Sequence, residues 1–264
     1  MYENVVPAGS KRGSPTCLSS PNLPVQKRAT RMTPDDIREL LRNNTFLGCL
    51  PDEAFDQVYR KGHIVRFRKG ETLFRRGDEG ASMMLILAGS VKVFNTTADG
   101  HEAVLNFLGP ADVVGEITIL DGLERTASVI ALEATETFSL QRRDITPALL
   151  ANSEATLEVI QMLCGKLRSA SSMIEDGLNE MPGRTARGLL RLADQLGRQS
   201  REGIVIQLKV SHRDLGGYMG ISRENTSRQL AVLRQQGIVS VDATKIVILK
   251  RGELEEIAEA GRDG

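Results

Sequence analysis

The sequence predicts an α+β fold in which an amino-terminal β-roll, one long helix and a carboxy-terminal winged helix-turn-helix follow one another. Three observations lead there. From Ile64 to Leu140, short β-branched and apolar runs are punctuated by Gly70, Gly77, Gly80, Gly89, Gly100, Gly109, Gly115 and Gly122, the turn signal of an all-β roll or barrel. After Pro147 the period changes, and Leu157, Ile160, Cys164, Leu167, Ser171, Ile174 and Leu178 follow at alternating spacings of three and four, a heptad seam. From Ser211 onward two short capped helices meet at a glycine, and a hairpin of Ile238 to Val241 and Ile246 to Leu249 closes the order.

At 264 residues the chain is long for one domain, so two modest cores are expected. Residues 1–33 hold Pro7, Pro15, Pro21 and Pro24 among Ser, Asn, Lys and Arg, a composition too poor in apolar groups to offset ordering entropy, and read as a flexible tail. Residues 34–150 form the roll domain, with strands such as Met83 to Leu87 and Val91 to Phe94 in its walls. Residues 151–181 form the long helix. The seam over it suits a dimerisation helix, although a single amphipathic helix packed on its own domain shares the pattern. Ser171 puts a hydroxyl into an otherwise apolar stripe and there needs a hydrogen-bond partner or a wet gap.

Met181-Pro182-Gly183 is expected to end that helix and mark the domain boundary. The second domain, residues 183–251, opens with a helix over Ala186, Leu189, Leu190 and Ala193; an exposed, basic loop from Gly197 to Gly203 comes next, and a strand over Ile204 to Leu208 follows. Residues 252–264 read as an acidic tail.

Charge is segregated. The whole chain balances 34 Lys+Arg against 34 Asp+Glu, yet residues 183–251 carry 13 basic against 5 acidic side chains. That segment is where an electrostatic footprint for nucleic acid belongs. No apolar run approaches the roughly 18 residues of a membrane helix, so no membrane partner is expected. Cys17, Cys49 and Cys164 are widely spaced, and the first residues lack a charged start followed by an apolar run. A reduced cytoplasm is the expected location.

The segment 211–236 carries the first chemistry. Ser211 can cap a helix with Asp214 three positions on, Gly220 can take the left-handed turn conformation, and Ser222 can cap the next helix. Gly216, four residues before Gly220, lets the two helices cross closely. On the second helix, at 100° per residue, Arg223, Glu224, Ser227 and Arg228 spread over about 140° of one face while Thr226, Leu230 and Leu233 lie on another. Such a polar quartet near a helix start can enter a major groove, Arg pairing with guanine and Glu accepting from cytosine. A solvated face with a Glu224 to Arg228 pair, worth about 0.3 to 0.5 kcal/mol, is the competing reading.

The second constellation runs from Gly115 to Ala127. Arg125 and Thr126, after a glycine-bounded turn, could hold a phosphate through guanidinium, hydroxyl and backbone N–H groups, and Glu116 could accept from a ribose hydroxyl. A surface ion pair of Arg125 with Glu124 has the same spacing. Four grouped cysteines for an iron-sulfur cluster are missing from the sequence. His63 and His101 are the candidate haem ligands, though a lone histidine in a roll is more often structural. With three isolated histidines and no HExxH motif, no metal site for activating water is expected, and the chain is not read as an enzyme.

Arg68 to Gly80, Gly89 to Val93, the Gly115 to Ala127 cassette and Ile221 to Arg228, found in this order, resemble the cyclic AMP receptor protein and fumarate-nitrate regulator (CRP/FNR) family over about residues 46 to 251. The resemblance implies a homodimeric, DNA-binding transcription factor with a cyclic-nucleotide-binding roll, cAMP or cGMP being its allosteric ligand and RNA polymerase a further partner. It puts Gly115 and Glu116 at the ribose and Arg125 and Thr126 at the cyclic phosphate. Ser171 matches the second residue of a Thr-Ser pair at the base, whereas Ala170 departs from the first, which leaves the base open. Arg223, Glu224 and Arg228 match base-reading positions, and Ser227 matches the Glu-x-x-Ser-Arg form of the oxygen-sensing branch. Ser211, at the start of the preceding helix, completes the DNA-facing set. The alternative within the same fold is a regulator that senses another small molecule, haem or no ligand.

Overall fold

The computed structural model describes residues 32–44, 46–177, 179–242 and 244–260. The expected tail thus falls outside the described residues except for its last two positions, as does Leu178 of the heptad seam. Thr33 caps the first described helix: its hydroxyl accepts the Asp36 N–H at 3.2 Å while Asp36 accepts the Thr33 N–H at 2.9 Å, a reciprocal cap on α1 (Pro34–Asn44). A 3-10 turn (Phe46–Cys49) and α2 (Asp52–Lys61) follow, burying Phe46, Leu47, Phe55 and Val58.

The roll consists of β1 (His63–Phe67), β2 (Thr72–Phe74), β3 (Ser82–Ala88), β4 (Val91–Thr96), β5 (Glu102–Leu108), β6 (Val113–Val114), the short helix α3 (Glu116–Asp121), β7 (Ser128–Ala131) and β8 (Thr135–Gln141). The strands form two four-stranded sheets, in the orders β1-β8-β3-β6 and β2-β7-β4-β5, and the pairings are antiparallel. Ile86, Val91, Leu108, Val114 and Val129 meet in the interior. Strand alternation directs these β-branched and Leu side chains inward, and removing them from water drives closure.

After α4 (Arg142–Leu150), Asn152 accepts the Ala155 N–H at 2.8 Å and starts α5 (Ser153–Asp176). The described stripe residues of α5 face solvent: Leu157, Ile160, Cys164, Leu167, Ser171 and Ile174 are all exposed, Leu167 by 68% and Ile174 by 74%.

Three expectations are corrected here. Met181 to Gly183 does not end the long helix. That helix stops at Asp176, and Met181 begins α6 (Met181–Leu196) with proline in its first turn, where the missing N–H costs nothing. The stretch expected as a loop from Gly197 to Gly203 is a β-hairpin of β9 (Gly197–Ser200) and β10 (Gly203–Ile206). The segment read as an acidic tail is, from Arg251 to Ala260, the helix α9. Leu254 and Ala258 are buried and Ile257 is packed against the same core, an apolar face at spacings of three and four hidden among glutamates.

The remaining elements are α7 (His212–Met219), α8 (Arg223–Gln235), β11 (Val239–Val241) and β12 (Ile246–Ile248), with β11-β12-β10-β9 forming one sheet. Leu189, Leu192, Ile206, Leu215, Met219, Leu230, Leu233 and Ile248 fill its core, which also takes in Val104 and Phe107 of β5.

Candidate nucleotide pocket and DNA-reading face

Gly115 follows directly on β6 and stands at φ 81°, ψ 11° as the residue before α3. This left-handed backbone favours glycine over other residues. A Cβ at this position would also come within 2.3 Å of Nη1 of Arg125. Gly80 is held to its identity by space: a Cβ there would approach Thr118 Cγ2 to 2.4 Å and Arg125 Nε to 2.7 Å. Two glycines thus make a recess fitted to one guanidinium.

Arg125 fills the recess. Its backbone is pinned to the preceding turn, N–H to Asp78 O at 2.9 Å and O from Gly77 N–H at 2.9 Å. Its guanidinium lies 4.2 Å from the Phe74 ring centre, Nη1 donates to Gly115 O at 3.1 Å, and Nη2 donates to Ser82 O at 2.6 Å. The residue is only 5% exposed, and its buried Nε has no hydrogen-bond partner. Burial lowers the guanidinium pKa below the ordinary arginine value, with the charges of Asp78 and Glu116 pulling it partly back.

Among the described residues Arg125 makes no ion pair, and the surface pair with Glu124 does not form. Buried Lys92 and half-buried Arg187, by contrast, each hold a carboxylate. A desolvated cation that leans on carbonyls and an aromatic face is incompletely compensated, and an anion completes it. Thr126, beside it, is exposed.

Glu116 is buried, and its carboxylate accepts from Lys166 Nζ of α5 at 2.6 Å. Lys166 also donates to Val113 O at 3.2 Å. The carboxylate expected to meet a ribose is therefore tied to the long helix. Sequence reading missed Lys166, which falls off the heptad stripe and carries no local signal beyond its charge. Ser82 on β3 and Phe74 on β2 likewise carry no local pattern that singles them out. Nearby Asp112 has its pKa raised to about 6 by burial, against the Gly109 N–H and the charge of Lys166.

Ser171 is not brought to this pocket within the chain. It is exposed on α5, while Arg125 and Glu116 bond to Gly115, Ser82 and Lys166. The candidate haem ligands are both exposed, His63 on β1 and His101 in the β4–β5 turn, 3.6 Å from Asp99.

The helix pair forms as the caps dictate. Ser211 Oγ accepts the Asp214 N–H at 3.1 Å and donates to Asp214 Oδ2 at 2.6 Å, completing a capping box on α7. Gly220 ends α7 at φ 67°, and Ser222 Oγ accepts the Asn225 N–H at 3.2 Å. At Gly216 a Cβ would meet Ile221 O at 2.6 Å and Thr226 Oγ1 at 2.8 Å, so the close crossing requires glycine. Thr226, Leu230 and Leu233 are buried, and Arg223, Glu224, Ser227 and Arg228 are exposed together. Among the described residues the competing Glu224–Arg228 pair does not form, and the quartet is open to a partner. The Ser211 hydroxyl, in contrast, is committed to its cap.

Comparison with known proteins follows this division. Residues 64–152 match the model of a cyclic nucleotide-binding domain and residues 183–257 that of a Crp-like helix-turn-helix domain. The chain is 31% identical over 214 residues to the cyclic AMP receptor protein of Thermus thermophilus, covering 81% of this chain and 95% of that one. It is 26% identical over 224 residues to a CRP-like cAMP-activated global transcriptional regulator of Mycobacterium tuberculosis, covering 84% and 98%. Among solved structures, a CRP-family transcriptional regulator from T. thermophilus superposes with a TM-score of 0.61 at 27% identity, over 74% of this chain and 96% of the other. Among the described residues no helix is long and apolar enough to cross a membrane.

Proposed function

Because the chain belongs to the CRP/FNR family of transcriptional regulators, we propose that it is a homodimeric, cytoplasmic DNA-binding regulator whose operator affinity is set by a cyclic nucleotide, cAMP or cGMP, bound in the roll. The carrying observation is the buried Arg125 guanidinium without a carboxylate, set in the Gly80–Gly115 recess beside Glu116. A cyclic phosphate supplies the missing anion. Arg125 holds it as a fork, Thr126 adds its hydroxyl, and Glu116 with the Gly115 backbone faces the ribose.

A ligand acts by preferring one of two dimer arrangements. Glu116 reaches α5 through Lys166, so occupancy and helix position share one carboxylate. The exposed stripe from Leu157 to Ile174 suits a second copy of α5, and Ser171 then stands at the seam, where it faces the partner's pocket. The seam sets the spacing of the two α8 helices, which reaches successive major grooves at about 34 Å. Arg223, Glu224, Ser227 and Arg228 read base edges. Ser211 supports them by fixing α7. Arg198 and Arg201, exposed on the β9–β10 hairpin, form the surface assigned to RNA polymerase on fold analogy alone.

A second reading, a regulator of this family answering to a different small molecule or to none, draws on the Lys166–Glu116 pair, which leaves the ribose-facing carboxylate already satisfied, and on Ala170 beside Ser171. A catalytic role has no comparable support, since the relatives are regulators. Calorimetric titration with cAMP and cGMP, paired with operator binding at fixed salt, separates the readings. Heat and tightened DNA binding with either nucleotide supports the first. No heat with both favours the second.

A further inference from the structure

Outside the pocket, the least exposed charged residue among the described residues is Lys92 on β4. Its side chain, 8% exposed, donates from Nζ to Glu102 Oε2 of β5 at 2.6 Å and to Asp214 Oδ1 of α7 at 2.7 Å. The ammonium also stands 4.8 Å from the Phe94 ring centre. Asp214 is the same residue whose other oxygen closes the capping box with Ser211. One carboxylate therefore both starts the first helix of the helix-turn-helix and anchors that helix to the roll. Burial works against the charge on Lys92, yet bonding to Asp214 and Glu102 raises its pKa, and that of Asp214 is lowered by Lys92 and Ser211 despite its own burial. The pair is ionised at neutral pH.

The surrounding packing is close. A Cβ on Gly217 of α7 would meet Glu102 O at 2.8 Å and Val104 Cγ2 at 3.0 Å, so backbone rests on backbone. Phe107 of β5 and Tyr218 of α7 pack with ring centres 5.3 Å apart, both buried. β4 meanwhile pairs with β7, Lys92 opposite Ile130 and Phe94 opposite Ser128, and β7 begins at Ser128, two residues after Thr126. Two paired strands thus link the Arg125 segment, through β7, to Lys92 on β4, which bears on α7.

We propose that Lys92 is a positioning residue for DNA reading: it seats α7 on the β4–β5 ribbon so that roll and helix-turn-helix turn as one body. The inference rests on the proposed nucleotide control. Without the ammonium, Glu102 and Asp214 face each other as like charges in a partly desolvated joint, which opens rather than merely loosens. The seat then no longer relays events at β7 to the reading helix.

The test uses full-length wild type, Lys92→Met and Lys92→Arg, with an operator selected from random-sequence DNA and cAMP and cGMP as probes. Lys92→Met is expected to bind either nucleotide within about threefold of wild type while its ratio of operator affinities with and without nucleotide, ordinarily about 5- to 150-fold for an allosteric pair, falls to within about twofold of one. Amide hydrogens of His212 to Met219 exchange at least about tenfold faster in it, and Lys92→Arg restores both readouts. A wild-type ratio or unchanged α7 exchange in Lys92→Met overturns the proposal. Should wild-type DNA binding ignore both nucleotides, the control reading fails, and the exchange of α7 still decides whether Lys92 seats the helix.

Discussion

Replacing Arg125 by leucine removes a buried cation that, among the described residues, has no ion pair. Two opposing effects on stability follow from its surroundings. Gly115 O and Ser82 O lose donors at 3.1 and 2.6 Å, a cost of about 1 to 3 kcal/mol when a buried acceptor is left unmade. A desolvated charge is also removed, and leucine packs against the Phe74 ring that the guanidinium covered, which returns a similar amount. The fold is therefore expected to survive with its melting temperature little changed.

Ligand binding has no such compensation. A fork of charge-assisted bonds to a phosphate contributes about 2 to 4 kcal/mol after water is displaced, so nucleotide affinity should drop about 30- to 900-fold. Isothermal calorimetry on wild type and variant measures it, with thermal melting as the control for folding. Arg125→Lys keeps the charge without the fork and should fall between the two. Affinity within about threefold of wild type for Arg125→Leu would refute the assignment of the recess to an anion.

Three further outcomes are expected. Arg223→Ala should cost about 1 to 3 kcal/mol on a selected operator and little on random DNA, measured by fluorescence anisotropy; equal losses on both would make Arg223 a backbone contact. Leu167→Glu, at a position 68% exposed in the single chain, should shift sedimentation from dimer toward monomer, because each copy gives up about 1.5 to 3 kcal/mol of burial and gains a like charge across the seam; an unchanged dimer would place the interface elsewhere. Asp112 has a pKa raised to about 6 from 3.8, so the folded state holds its proton more tightly, and its contribution to stability falls as pH rises from about 4 to 6. Its side chain keeps some solvent contact, so Asp112→Asn, which still accepts the Gly109 N–H, should add about 1 to 2 kcal/mol at pH 7 and little below pH 4. Urea unfolding at both pH values reads this, and an equal gain at both would contradict it.

The helix-turn-helix was legible because its signals are local. Ser211 with Asp214, Gly220 and Ser222 act within four residues of where they stand. The stripe on α5 was legible because periodicity needs no partner. Its end was misjudged, since proline in Met181-Pro182-Gly183 suits a helix start as well as a stop. The carboxy-terminal helix was hidden by charge: glutamates dominate residues 253–259, and the three apolar residues among them mean little until α6 lies underneath.

The pocket divides the same way. That Gly115, Glu116, Arg125 and Thr126 form one cassette was visible in their order along the chain. Whether Arg125 pairs with Glu124 beside it or enters the roll could not be decided from spacing, because both side chains can reach either place. Folding decided it by bringing Ser82 and Phe74 from one part of the chain and Lys166 from another. Caps, turns and amphipathic stripes depend on neighbours a few residues away, and these the sequence alone determined. The desolvation of a charge and its choice of partner depend on which groups stand within a few ångströms of it, wherever they lie in the chain, and only the tertiary structure specifies those distances.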